Sequence, residues 1–124
     1  MPVRSLDSPV IKWPGIKEVK QALKEWAEGL VEERDDVVRL GYFGSYARGD
    51  WSVGSDLDLI IILTRVEERF ERRGADFDTN NIPVSVDLLV YSDEEWDDMK
   101  VEDNTFYRGI RDEVEWLIDE RKFV

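Results

Sequence analysis

Neither cysteine nor histidine occurs among the 124 residues of the chain. The first absence excludes a disulfide scaffold, a thiol nucleophile and a cysteine zinc site. The second removes Ser-His-Asp triads, imidazole general bases and His-ligated metals. Basic residues are also scarce: 17 Lys and Arg stand against 29 Asp and Glu, for a net charge of -12. Phosphate neutralisation needs surplus cations, so a general DNA or RNA binder is not expected. The longest apolar run, Leu59 to Leu63, is far too short to span a bilayer. The opening stretch MPVRSLDSPVIKWPG lacks the apolar core and cleavage site of a secretory signal. These absences predict a soluble, cytoplasmic chain folding as one domain over residues 1–124. Its chemistry must run on carboxylates, hydroxyls, Lys, Arg and a hard cation.

What is present is enough apolar material for a core, 42% hydrophobic and 11% aromatic. Residues 1–15 hold three of the four prolines and read as an extended lead-in. Ile16, Val19, Leu23, Trp26, Ala27 and Leu30 then form one stripe of an amphipathic helix, with Lys17, Lys20, Lys24, Glu25, Glu28 and Glu32 opposite. Val37 to Phe43 is β-branched and aromatic and predicts a strand, which runs into the glycine-bounded turn GSYARGD. The stretch SDLDLIIIL predicts a second strand from Asp56 to Leu63, buried on both faces. Glu67 to Arg73 reads as a polar helical turn and Gly74 to Asn81 as a loop. PVSVDLLVY, Pro83 to Tyr91, predicts a third strand with Val84, Val86, Leu88 and Val90 on one face. Ser92 and Glu95 form a capping-box pattern that starts a helix. A final helix is expected from Thr105 to Ile118, with Phe106, Ile110, Val114 and Leu117 on its buried stripe. The fold class expected is α+β, a small mixed β-sheet flanked by helices.

Three carboxylates carry the chemistry. Asp56 and Asp58 stand two apart at the mouth of a strand, so both point to one face. Asp87 lies in an apolar strand, where an aspartate is costly unless paired or metal-bound. If the second and third strands are neighbours, the three acids converge, repel one another and call for a divalent cation. An all-oxygen donor set suits Mg²⁺ or Mn²⁺. Beside them, Gly44 lets the backbone approach an anion, and the N–H groups and Ser45 hydroxyl can hold phosphate oxygens. Arg48, one turn on, can neutralise phosphate charge. Each residue also has a plainer reading: Ser45 as a helix cap, Arg48 as a surface ion pair, Asp50 as a turn residue. Trp51 stacks on a base or forms the rim of the loop. A phosphate cradle beside a carboxylate-held metal is a layout for nucleotidyl transfer.

Gly44-Ser45, ten intervening residues, Asp56-Leu57-Asp58 and a later strand aspartate together resemble the signature of the DNA polymerase β-type nucleotidyltransferase superfamily. The longer form GSYARGD…SDLDL is similar to its minimal nucleotidyltransferases. The resemblance covers residues 16–91, the motif core. It implies a nucleotidyltransferase fold in which Asp56 and Asp58 hold two metal ions. It makes Asp87 the third ligand and the acceptor of the proton from the attacking hydroxyl. It also implies ATP as substrate and AMP as the group transferred. Many proteins of this group pair with a small helical HEPN-type toxin and modify it on tyrosine, so such a partner is one expectation and a homodimer another. The segment RFERRGADFDTNNIP departs from the group, standing where a longer amphipathic helix is common. The alternative function is a nucleotide-binding or partner-masking module with little catalysis.

The remaining segment, residues 92–124, reads as an acidic helical tail. Its twelve acids against five bases supply -7 of the -12 total. Trp96, Phe106, Tyr107, Trp116 and Phe123 either complete the core or anchor a basic or helical partner.

Overall fold

A computed structural model describes residues 14–124. The proline-bearing lead-in expected over residues 1–15 thus lies almost wholly outside the described residues. Helix α1, Ile16–Glu33, buries Val19, Leu23 and Ala27, a single stripe at the expected spacing. Strand β1, Val37–Phe43, leads into α2, a single turn at Ser45–Arg48. Strand β2, Leu57–Leu63, pairs antiparallel with β1, and β3, Val86–Ser92, pairs parallel with β2. Helices α3, Asp93–Glu102, and α4, Thr105–Glu113, follow. Strands β4, Glu115–Asp119, and β5, Lys122–Phe123, close the chain. The sheet order is β3-β2-β1-β4-β5. The architecture is therefore α+β, a mixed five-stranded sheet flanked by helices, as expected.

The sheet is covered on both sides, which explains the unbroken apolar run of β2. Leu57 and Leu59 pack with Val19 and Leu23 of α1, and Ile61 and Leu63 with Ala27. Ile60 and Ile62 pack on the other side with Trp96 of α3 and Tyr107 and Ile110 of α4. Among the described residues, no helix is long and apolar enough to cross a membrane.

The C-terminal tail corrects the sequence reading. The helix expected to reach Ile118 stops at Glu113; Val114 turns extended, with φ -63° and ψ 136°. The run that follows lies along β1, with Gly41 opposite Trp116 and Leu40 opposite Ile118. A spacing of Ile110, Val114 and Leu117 fits a helix, but the pull of an unpaired strand edge wins. Gly41 makes the room: a Cβ there would lie 2.8 Å from the Trp116 ring and 2.7 Å from the Glu115 carbonyl oxygen. Phe106, assigned to the buried stripe, is 49% exposed; Tyr107 and Ile110 carry the burial instead. Phe123 is exposed as well, whereas Trp96 is buried.

A second shift concerns the polar turn expected at Glu67 to Arg73. The helical segment is a 3-10 turn at Phe70–Asp76, running through Gly74. Its register is set by Arg73, which is buried and donates from Nη1 to the Val90 carbonyl at 3.0 Å and from Nε to the Glu68 carbonyl at 3.0 Å. Two further bonds, 2.7 and 3.0 Å, run to the Glu95 carboxylate. Glu95 in turn completes the expected capping box. Its N–H donates to Ser92 Oγ at 3.0 Å and its carboxylate accepts from the Ser92 N–H at 2.9 Å.

Candidate active site

The candidate site lies where β1 ends and β2 and β3 begin. Antiparallel pairing sets Phe43 opposite Asp58, and parallel pairing sets Asp58 beside Asp87. The two aspartates share a sheet face because adjacent residues in register point the same way. Asp56 stands two residues before Asp58, just ahead of β2, and near enough for its charge to act on Asp58. Strand register thus brings Asp58 and Asp87 together, while Asp56 precedes the strand.

The surroundings of Asp87 differ from expectation. It is the second residue of β3, on an edge strand, and it is solvent-exposed. The cost of burying an unpaired acid therefore falls on Asp58, which is half-buried, while Asp56 is exposed. Burial pushes the Asp58 carboxyl above the usual carboxylate range. The neighbouring Asp87 and Asp56 push it the same way, while Arg48 opposes them. Arg48 is a cationic side chain near enough to act on Asp58. Among the described residues, no three acids are drawn tightly enough to form a closed metal cage. The donors are nonetheless all carboxylate oxygens on one face, a set that fits a hard cation completing its shell with water or substrate oxygens.

Gly44 is required by this geometry. Its φ of 75° and ψ of -151° lie in a region essentially reserved for glycine. A Cβ built on Gly44 would overlap the Asp58 carboxylate. One residue thus brings the turn and the acid into contact. Gly44 also takes the position before α2, so Ser45 is its first helical residue and not its cap. The turn is closed by Ala47 and Arg48 N–H groups donating to the Gly44 carbonyl at 3.0 and 2.9 Å.

Arg48 projects beside the turn and is engaged by two acids. Nε donates to Asp50 at 3.2 Å and Nη1 to Glu113 at 3.0 Å. Trp51 stacks on Tyr46 with centroids 5.4 Å apart and planes 4° from parallel, as a rim residue would. Cavities lie in other parts of the molecule. One of about 290 Å³ sits at the far end of the sheet, by Leu63, Val90, Arg34 and Arg73. Asp56 and Asp87 are solvent-exposed.

Sequence reasoning missed Glu113. Its carboxylate accepts from the Gly44 N–H at 3.1 Å as well as from Arg48. Read as the middle of a helix, it carried no signal. Reading residues 115–119 as a strand antiparallel to β1 would have placed it beside Gly44.

A family model described as a nucleotidyltransferase domain matches residues 17–111. That span contains Gly44, Ser45, Arg48, Asp56, Asp58 and Asp87 and stops before Glu113 and the two final strands. The crystal structure of a Sulfolobus solfataricus protein described as a candidate nucleotidyltransferase superposes with a TM-score of 0.60, at 23% identity, over 91% of this chain and 96% of that one. At that identity the likeness is one of fold. No curated protein matches the chain.

Proposed function

Because the chain belongs to the nucleotidyltransferase domain family and is a transferase of nucleotidyl groups, we propose that it moves AMP from ATP to a hydroxyl acceptor in the cytoplasm. Asp56, Asp58 and Asp87 hold two Mg²⁺ or Mn²⁺ ions, and Gly44, Ser45 and Arg48 receive the phosphates. The observation that carries this reading is the placement of Asp58. It is beside Asp87 on one strand, opposite the end of β1 on the other, and against Gly44, where a Cβ would overlap its carboxylate.

In the reaction the acceptor oxygen bonds to the α-phosphorus, the bond from that phosphorus to the α–β bridging oxygen breaks, and pyrophosphate leaves with the bonding pair. Asp87, exposed at the sheet edge, accepts the hydroxyl proton. The Gly44 N–H and Arg48 guanidinium offset the negative charge of the polyphosphate. Divalent cations, when bound, neutralise charge on the phosphoryl oxygens. The residues' own part is positioning. No side chain bonds covalently to substrate.

The acceptor we propose is a hydroxyl on a second protein, a small helical partner of HEPN type or another copy of this chain. Supporting this are Val101, 84% exposed, and Phe106, 49% exposed, on the acidic corner between α3 and α4. The second reading, a nucleotide-binding or partner-masking module, draws on the Glu113 carboxylate standing at the turn. Labelled ATP with Mn²⁺ and candidate acceptors separates the two. Transfer by the wild type, reduced by at least 10²-fold in Asp58→Asn together with weaker Mn²⁺ binding, is expected. Nucleotide binding without transfer would favour the module, and unchanged Mn²⁺ affinity in Asp58→Asn would overturn the metal assignment.

A further inference from the structure

The Gly44 N–H has one hydrogen, and in the free protein it is directed at Glu113 Oε1, 3.1 Å away. The other oxygen of the same carboxylate accepts from Arg48 Nη1 at 3.0 Å. One oxyanion thus bridges the backbone donor and the guanidinium assigned above to the polyphosphate. This is a charge-assisted, two-pronged arrangement of the kind that recognises carboxylates and phosphates alike. Glu113 reaches the turn from the last residue of α4, held in place by the pairing of β4 on β1.

We propose that Glu113 is an internal occupant of the phosphate seat, which nucleotide must displace to bind, so that this one side chain sets the affinity for nucleotide. The inference rests on assigning Gly44 and Arg48 to the phosphates. Two anions cannot share one N–H. Arg48 gives Nε to Asp50 and Nη1 to Glu113, and Nη1 is the donor that Glu113 couples to the Gly44 N–H, so an anion that bridges the turn and the guanidinium meets Glu113 there. A polyphosphate wins the exchange because it brings several negative charges to Arg48 where Glu113 brings one. A site closed for most of the time binds with its intrinsic affinity reduced by the fraction open.

The test uses the full chain, with inorganic tripolyphosphate and Mg-ATP as ligands. Titration calorimetry of Glu113→Ala should show about tenfold tighter binding of both than the wild type. Glu113→Gln should fall between, because its amide oxygen still accepts from Gly44 while its charge is gone. The Gly44 amide proton, followed by NMR, should move upfield in Glu113→Ala; in the wild type it should shift when tripolyphosphate is added. If Glu113→Ala does not fold, the near-isosteric Glu113→Gln carries the comparison. Wild type that binds tripolyphosphate no more weakly than the folded variants overturns the inference and leaves the phosphate assignment standing. Absence of binding by the wild type and both variants overturns the two together.

Discussion

At the end of the sheet where β1 finishes, Asp56 and Asp87 bring like charge to Asp58, and Arg48, the guanidinium that acts on Asp58, gives its bonds to Asp50 and Glu113. At the opposite end, acids stand with arginines. Arg34 forks onto Asp36 with two bonds of 2.9 Å, Arg65 meets Glu67 at 3.1 Å, and Arg73 forks onto Glu95. The electrostatics follow. Hydrogen bonds from Arg34 hold the Asp36 carboxyl below its usual range, and Arg73 does the same for Glu95, whereas burial and like charge hold Asp58 above it. Uniform acidity of composition therefore hides two uses of carboxylate. One end invests its acids in holding the fold. The other keeps them in mutual repulsion, a state that costs stability and favours cation binding.

The contrast can be broken most forcefully at the braced end. Arg73→Ala removes the fork to Glu95 and two bonds to backbone carbonyls, and should cost about 2–4 kcal/mol in urea unfolding. A cost below about 1 kcal/mol would mean that the two ends differ little in how they support the fold. At the acidic end the sign reverses. Metal-free Asp58→Asn should melt no lower than the wild type. Adding Mg²⁺ or Mn²⁺ should raise the wild-type melting temperature by about 2–5 °C and leave the variant unmoved. Equal cation responses would erase the distinction.

The smallest effect is in pH. A carboxyl raised above its ordinary 3.8, as in Asp58, makes the folded state bind more protons than the unfolded one. Its penalty is therefore full at neutral pH and relieved as pH falls through the raised value. Glu95, held below its ordinary 4.5, contributes stability that is full above 4.5 and is lost as pH falls through its depressed value. In metal-free unfolding from pH 7 to 3, Asp58→Asn should lose its advantage over the wild type first. The deficit of Glu95→Gln should vanish only further into acid, each effect under about 1 kcal/mol after solvent screening. The reverse order would refute the assignment of the two ends.

Much of this was readable in advance because it is local. The α1 stripe, the β1 and β2 runs and the Ser92–Glu95 capping box depend on residues a few positions apart. The nearness of Asp56 to Asp58 follows from two positions of sequence, and Asp87 joins Asp58 because β2 and β3 are neighbours. What stayed hidden depends on distant pairings. Val114 to Ile118 satisfies both a helical and an extended pattern, and the edge of β1 decides between them. The apolar neighbours of Asp87 predict a costly position for an acid, but the edge position of β3 exposes it. Glu113 could not be placed until β4 was.

The pairing of β4 on β1 also fixes when the molecule becomes competent. The Arg73 brace joins residues within about twenty-two positions, from Arg73 to Glu95, so residues 65–102 can close upon themselves early. Leu40 meets Ile118, and the Arg121 N–H donates to the Val38 carbonyl, across almost eighty or more residues. Such contacts form late, after the long intervening loop has closed. The Gly44 turn and all three aspartates precede β4 in the chain, yet Glu113 reaches that turn only once β4 has docked on β1. The docking of β4 therefore decides when the turn acquires its internal carboxylate, and the folding chain passes through a stage in which the site's donors stand open.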